Sequence, residues 1–139
     1  MKSVVTFLLL ALFLATASAA EPLPAPKPVY FATGSTRGTV GGRVVRGAFD
    51  LYSLKAAEGQ FLTVTITVPD DNAVFQIYEP GLVVGRDAEG ALEFKGQALR
   101  APGSDDTRWS GRLPRTGTYV IAIGSTRGSG RYSMDVKIE

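Results

Sequence analysis

The chain has 139 residues, with 15 Lys and Arg against 13 Asp and Glu, and it contains neither cysteine nor histidine. Without those two side chains it cannot form disulfides, a Ser-His-Asp or Cys-His nucleophile, or a zinc site of the usual ligand types. A formal net charge of +2 is too balanced for a general nucleic-acid or membrane-surface binder.

The first segment, MKSVVTFLLLALFLATASAA, carries one positive charge at Lys2 and an apolar run from Val4 to about Ala15. Ala17-Ser18-Ala19 follows in the small-x-small form that a signal peptidase accepts. The apolar run falls short of the roughly 20 residues that span a bilayer. Residues 1–19 are therefore expected to be a cleaved signal peptide, leaving a periplasmic or secreted protein with no membrane anchor. Cleavage leaves about 14 basic against 13 acidic residues. Residues 20–28 alternate with proline, which forbids helix and favours an extended tether. Residues 29–139 are long enough to bury one core and are read as a single domain, monomeric by expectation.

From Tyr30 onward the apolar period is two. FLTVTITV sets Leu62, Val64, Ile66 and Val68 against Thr63, Thr65 and Thr67. RYSMDVKI sets Tyr132, Met134, Val136 and Ile138 against Arg131, Ser133, Asp135 and Lys137. Such alternation marks strands with one buried and one wet face. TYVIAI, from Thr118 to Ile123, is apolar on both faces and reads as a central strand. Further strands are expected near 39–46, 49–55, 73–79 and 107–113, and GTVGGR reads as a bulged edge strand. With no helical stripe and turn residues between short strands, the fold class is all-β: an antiparallel β-sandwich, jelly-roll or immunoglobulin-like, of about seven to eight strands.

Between Pro80 and Asp106 the alternation breaks down. A small hairpin around Glu89-Gly90 fits this stretch, but its glycines and charges read more readily as a long irregular excursion, functional or disordered. Asp70, Asp71, Asp105 and Asp106 form two carboxylate pairs, oxygen ligands of the kind that calcium takes. The turn reading of PDDN is preferred, because Asp and Asn bond to their own backbone. No metal or other cofactor is expected. Trp109 alternates with Gly111 and Leu113 and is read as core rather than as a platform for sugars. No nucleophile elbow and no phosphate-binding loop occurs, so a binding protein is expected and not an enzyme.

AAEGQFLTVTI (Ala56 to Ile66) and LPRTGTYVIAI (Leu113 to Ile123) resemble the A-x-x-G-Q-x-L-x-V and L-P-x-x-G-x-Y signatures of pre-peptidase C-terminal-like β-sandwich domains. Gly59 supplies a positive φ in the first turn, and Tyr119 after Gly117 looks like a tyrosine corner. Upstream, Val29, Phe31 and Gly34, then Gly42, Val44 and Gly47 (one residue out of step), then Asp50 and Tyr52 are similar to the exported inhibitors of goose-type (g-type) lysozyme. That resemblance runs from Val29 to Ile138 and implies a protein that plugs a lysozyme cleft with loops at one end of the sandwich. It also implies a Thr-Arg pair before the last strand, a place taken by Thr126-Arg127. Lysozyme clefts are acidic, so a loop arginine can form a charge-assisted pair there. The partner-binding residues expected are Arg127 first, then Arg131, Arg37, Thr126 and Ser125. The partner implied is a lysozyme; the alternative is a non-inhibitory module that binds polysaccharide or another envelope component.

GSTRG occurs twice, at Gly34–Gly38 and Gly124–Gly128. The flanking sequences do not match, so duplication is not expected. The preferred reading is a pair of glycine-bracketed polar loops with similar turn needs. Counting one traversal per strand offers a second reading, in which Arg37, Arg127 and the 80–106 excursion gather at one end, beside the Glu58 turn.

Overall fold

Leu62, Val64 and Ile66 are buried while Phe61 and Thr67 are exposed, so the alternation of FLTVTITV becomes a strand with one face against the core. The same division recurs through a computed structural model that describes residues 22–101 and 107–139. The expected signal peptide, and Asp105 and Asp106, lie outside the described residues.

Among those residues there are ten strands and no helix. They are β1 (Lys27–Pro28), β2 (Arg37–Val44), β3 (Phe49–Ala56), β4 (Phe61–Thr67), β5 (Ala73–Tyr78), β6 (Val83–Arg86), β7 (Leu92–Lys95), β8 (Arg108–Arg112), β9 (Gly117–Ser125) and β10 (Gly130–Ile138). One sheet has the order β1-β3-β9-β5 and the other β2-β10-β4-β8, with β6-β7 as a separate hairpin. All pairs are antiparallel except the short β1-β3 contact.

The core between the sheets contains Tyr119, Ile121 and Ile123 from one sheet and Leu62, Val64, Met134 and Val136 from the other. Trp109 packs against this core from its rim, as its alternation with Leu113 predicts. Tyr119 is fully buried, and its hydroxyl donates to the Arg115 carbonyl at 2.6 Å while accepting from the Arg115 amide at 3.1 Å. This is the tyrosine corner. In the A-x-x-G-Q turn Gly59 has φ +85°, and Gln60 turns its side chain back so that Oε1 accepts the Ala57 amide at 2.7 Å.

Three expectations need correction. The excursion after Pro80 is ordered over its described length. It holds the small hairpin around Glu89-Gly90, the less favoured reading of this stretch, as β6-β7, whose turn is closed by Asp87 Oδ1 accepting the Glu89 and Ala91 amides at 3.0 and 2.8 Å. The hairpin roofs the outer face of the first sheet, where Leu51, Val120 and Ala122 are buried under Leu82, Val84 and Phe94. TYVIAI is therefore apolar on both faces because both are covered. Secondly, β2 is an edge strand as expected, but its register to β10 is continuous from Arg37↔Lys137 to Val44↔Gly130, with no bulge.

The third correction concerns the second reading of the two GSTRG segments, the shared end, because the segments lie at opposite ends. Arg37 is opposite Lys137 at the end of β10, whereas Arg127 precedes Gly130 at its start. Eight strand residues separate the two ends, about 23 Å at strand rise. Parity fails because Gln97 to Arg100 add a further traversal after the hairpin. They run back along β5, with Glu79 N donating to Gln97 O at 2.9 Å and Leu99 N to Ile77 O at 2.8 Å. The Glu58 turn lies at the Arg37 end, joined to β9 through Thr116 Oγ1, which accepts the Glu58 amide at 2.9 Å.

Candidate functional site

Among the described residues, the end of the sandwich that carries Arg127 includes the β2-β3 turn (45–48), the β4-β5 turn (68–72) and the β9-β10 loop (126–129). PDDN is a turn, as expected: the Asp71 amide donates to the Val68 carbonyl at 3.2 Å, and Asp71 has φ +53°, a conformation Asp tolerates. No cluster of three or more potential metal ligands occurs among the described residues.

The Thr-Arg loop is short and pinned from below. The Thr126 amide donates to the Asn72 carbonyl at 2.9 Å, and the Ser125 hydroxyl donates to the Gly128 carbonyl across the loop. Gly128, at φ +63°, turns the chain back into β10. Ser125 and Thr126 thus hold the loop in shape, and Arg127 is left exposed at its tip. Its guanidinium forms no ion pair with any carboxylate among the described residues.

Arg131 is exposed on β10 and lies directly opposite Arg43 of β2. Like charges facing one another across a ladder destabilise it, so this pair marks a place that suits an anion. Arg46, at the exposed tip of the adjacent β2-β3 turn, adds a further cation beside the start of β10. Neither Arg43 nor Arg46 was among the residues singled out in the sequence. The outward phase of Arg37, Thr39, Gly41 and Arg43 along one strand was the signal for Arg43; only the turn geometry brings in Arg46. Arg37 does not join this group. Phe49, which follows the β2-β3 turn, faces the hairpin on the outer side of the first sheet: it makes an edge contact with Phe94 at 4.8 Å and supports the hairpin roof.

Just inside this end, the inhibitor-like motif residues converge on a buried polar network. Tyr132 Oη donates to Asp50 Oδ2 at 2.5 Å and lies 2.5 Å from Tyr52 Oη. Burial first, then the hydrogen bonds with Asp50 and Tyr52, push the Tyr132 hydroxyl well above its ordinary pKa of 10.0. Gly42 is required here by close approach, since a Cβ would sit 2.9 Å from Tyr132 Oη. The network joins β3 to β10 across the two sheets, with Gly42 of β2 packed closely against it, beneath the turns that carry the arginines.

No protein-family model matches the chain, and no curated protein matches it by sequence. Solved structures do. The periplasmic inhibitor of g-type lysozyme PliG from Aeromonas hydrophila is 28% identical at a TM-score of 0.65, with 82% of this chain and 96% of that one covered. PliG from Salmonella Typhimurium is 19% identical at 0.58, covering 84% and 100%. The pre-peptidase C-terminal domain of a Bacillus anthracis collagenase is 12% identical at 0.58, covering 84% and 99%. The last two likenesses are of fold alone. The chain therefore has the β-sandwich fold seen in the PliG inhibitors of g-type lysozyme and in a pre-peptidase C-terminal domain.

Proposed function

We propose that the protein is an exported, periplasmic or secreted inhibitor of a g-type lysozyme, and that it acts by occupying the enzyme's acidic cleft with arginines. The observation that carries this reading is the exposed group at one end of the sandwich: Arg127 on a pinned loop, Arg46 on the neighbouring turn, and the opposed pair Arg43 and Arg131. None of the four is spent on an internal ion pair among the described residues. The overall likeness to an inhibitor from Aeromonas hydrophila supports the choice of partner.

The chemistry follows from charge and rigidity. A guanidinium keeps its charge at any physiological pH and can bind a carboxylate through two parallel hydrogen bonds. A loop already held by Asn72 and Gly128 loses little conformational freedom on docking, so more of the interaction energy appears as affinity. Nothing in this mechanism requires the inhibitor to do covalent chemistry.

The test is lysis of bacterial cell walls by a g-type lysozyme with and without equimolar protein. Strong suppression is expected. Undiminished lysis would discard the inhibitor reading and leave the alternative of a non-inhibitory envelope module, a role compatible with the same fold.

A further inference from the structure

The outer face of the β2-β10-β4-β8 sheet is wet throughout, and its rows can be read from the registers. One row runs Arg37, Lys137, Thr63, Ser110; the next runs Thr39, Asp135, Thr65, Arg108. Between them lies a shallow basin of about 390 Å³, with exposed Phe61 and Glu139 at one margin. Arg37 and Lys137 are directly opposite one another, a second like-charge pair on the same face as Arg43 and Arg131.

The acidic groups of the basin are already engaged. Asp135 Oδ1 accepts the Thr39 hydroxyl at 2.5 Å, and Glu139 pairs with Lys137 at 2.8 Å. Arg37 and Arg108 stand on opposite sides, three interstrand spacings apart or about 14 Å, and neither guanidinium forms an ion pair among the described residues. Hydroxyls of Thr63 and Thr65 lie between them, and Ser110 Oγ lies 3.2 Å from Thr63 Oγ1.

We infer that this basin is a second binding surface, separate from the Arg127 end, and that it takes an acidic polysaccharide. Two well-separated cations match a polymer with sparse carboxylates. A floor of hydroxyls exchanges hydrogen bonds with sugar hydroxyls, and the exposed Phe61 ring offers an apolar face for a sugar ring to stack on. The engaged carboxylates of Asp135 and Glu139 oppose a nucleic acid, whose charges recur every ~1.7 Å along the duplex axis. A membrane surface would call for more than one exposed large apolar side chain on the face, and Phe61 is the one this face has among the described residues.

The experiment is affinity electrophoresis of the exported chain through gels containing alginate as the polyuronate, dextran as a neutral glycan, or neither. Duplex DNA and vesicles containing phosphatidylglycerol are run as competitors. Alginate should retard the protein, dextran should not, and retardation should fall with added salt. Arg37→Ser and Arg108→Ser should each weaken alginate binding by about tenfold, leaving the melting temperature and any inhibition of lysozyme unchanged. Thr65→Glu places a carboxylate in the floor and should abolish retardation, which provides a second check if an arginine variant melts lower. Equal retardation by dextran, preference for DNA or vesicles over alginate, or retention of alginate binding in the double arginine variant would each overturn the inference. Because Arg37 and Arg108 lie away from the Arg127 loop, loss of glycan binding and loss of inhibition are separable outcomes.

Discussion

Tyr132 donates its hydroxyl hydrogen to Asp50 at 2.5 Å, joining the last strand of one sheet to the first long strand of the other. The fold holds this proton more tightly than the unfolded chain does, because burial and the two hydrogen-bonding neighbours raise the Tyr132 pKa above 10.0. The associated stability is complete below that value and is lost as pH rises beyond it. The melting temperature should therefore be nearly flat from about pH 7 to 9.5 and fall above about pH 10. Tyr132→Phe should lower stability by about 1–3 kcal/mol at neutral pH, since Asp50 loses its donor, and should make the alkaline fall shallower. Thermal melts across pH 7 to 11.5 compare the two proteins; parallel curves would remove this account.

Tyr119 offers a test of the fold without touching the arginine end. Its hydroxyl makes two hydrogen bonds with the Arg115 backbone and is fully buried. Tyr119→Phe should cost about 1–2 kcal/mol and lower the melting temperature by roughly 4–8 °C, with lysozyme inhibition unaltered. Calorimetry and the lysis assay together check it, and a variant as stable as the parent would show that the corner contributes nothing.

At the arginine end, Arg127→Ala and Arg46→Ala should each weaken lysozyme binding. Truncating one partner of a desolvated charge pair costs about 2–5 kcal/mol, so the loss should reach at least tenfold for Arg127. Arg37→Ala should leave inhibition intact, because Arg37 is at the far end of β2. Titration calorimetry against the lysozyme measures all three. Equal losses for Arg37 and Arg127 would mean that the wrong end had been chosen.

The hairpin roof can be probed through Gly124. A Cβ at that position would lie 2.6 Å from the Phe49 ring, which is itself held against Phe94. Gly124→Ala should displace Phe49 and cost about 1–3 kcal/mol by overpacking. Amide exchange should quicken in β6 and β7 before it does in β4 and β10. Uniform acceleration throughout the domain would argue that the roof and the core unfold as one.

Much of the fold was legible because strand alternation is a local record of burial. Leu62 to Ile66 and Tyr132 to Val136 divide into buried and exposed positions as their period of two requires. The Gly59 turn and the Tyr119 corner were legible for a similar reason, since each depends on residues only a few positions apart. The β6-β7 hairpin was less so: its four-residue strands are short, and their apolar side chains face a sheet that is distant in sequence.

Chain order by itself determined which residues face inward, where the turns fall, and that Arg127 sits on a tight polar loop. Only the tertiary structure decided which loops share an end. The Gln97–Arg100 segment runs back along β5 and reverses the parity of everything after it, parting Arg37 from Arg127 and bringing Arg43 and Arg46 beside the latter. Burial preference acts residue by residue and is written into local pattern. The end at which a strand begins depends on the number of traversals before it, so a single added crossing changes the site while leaving every local pattern intact.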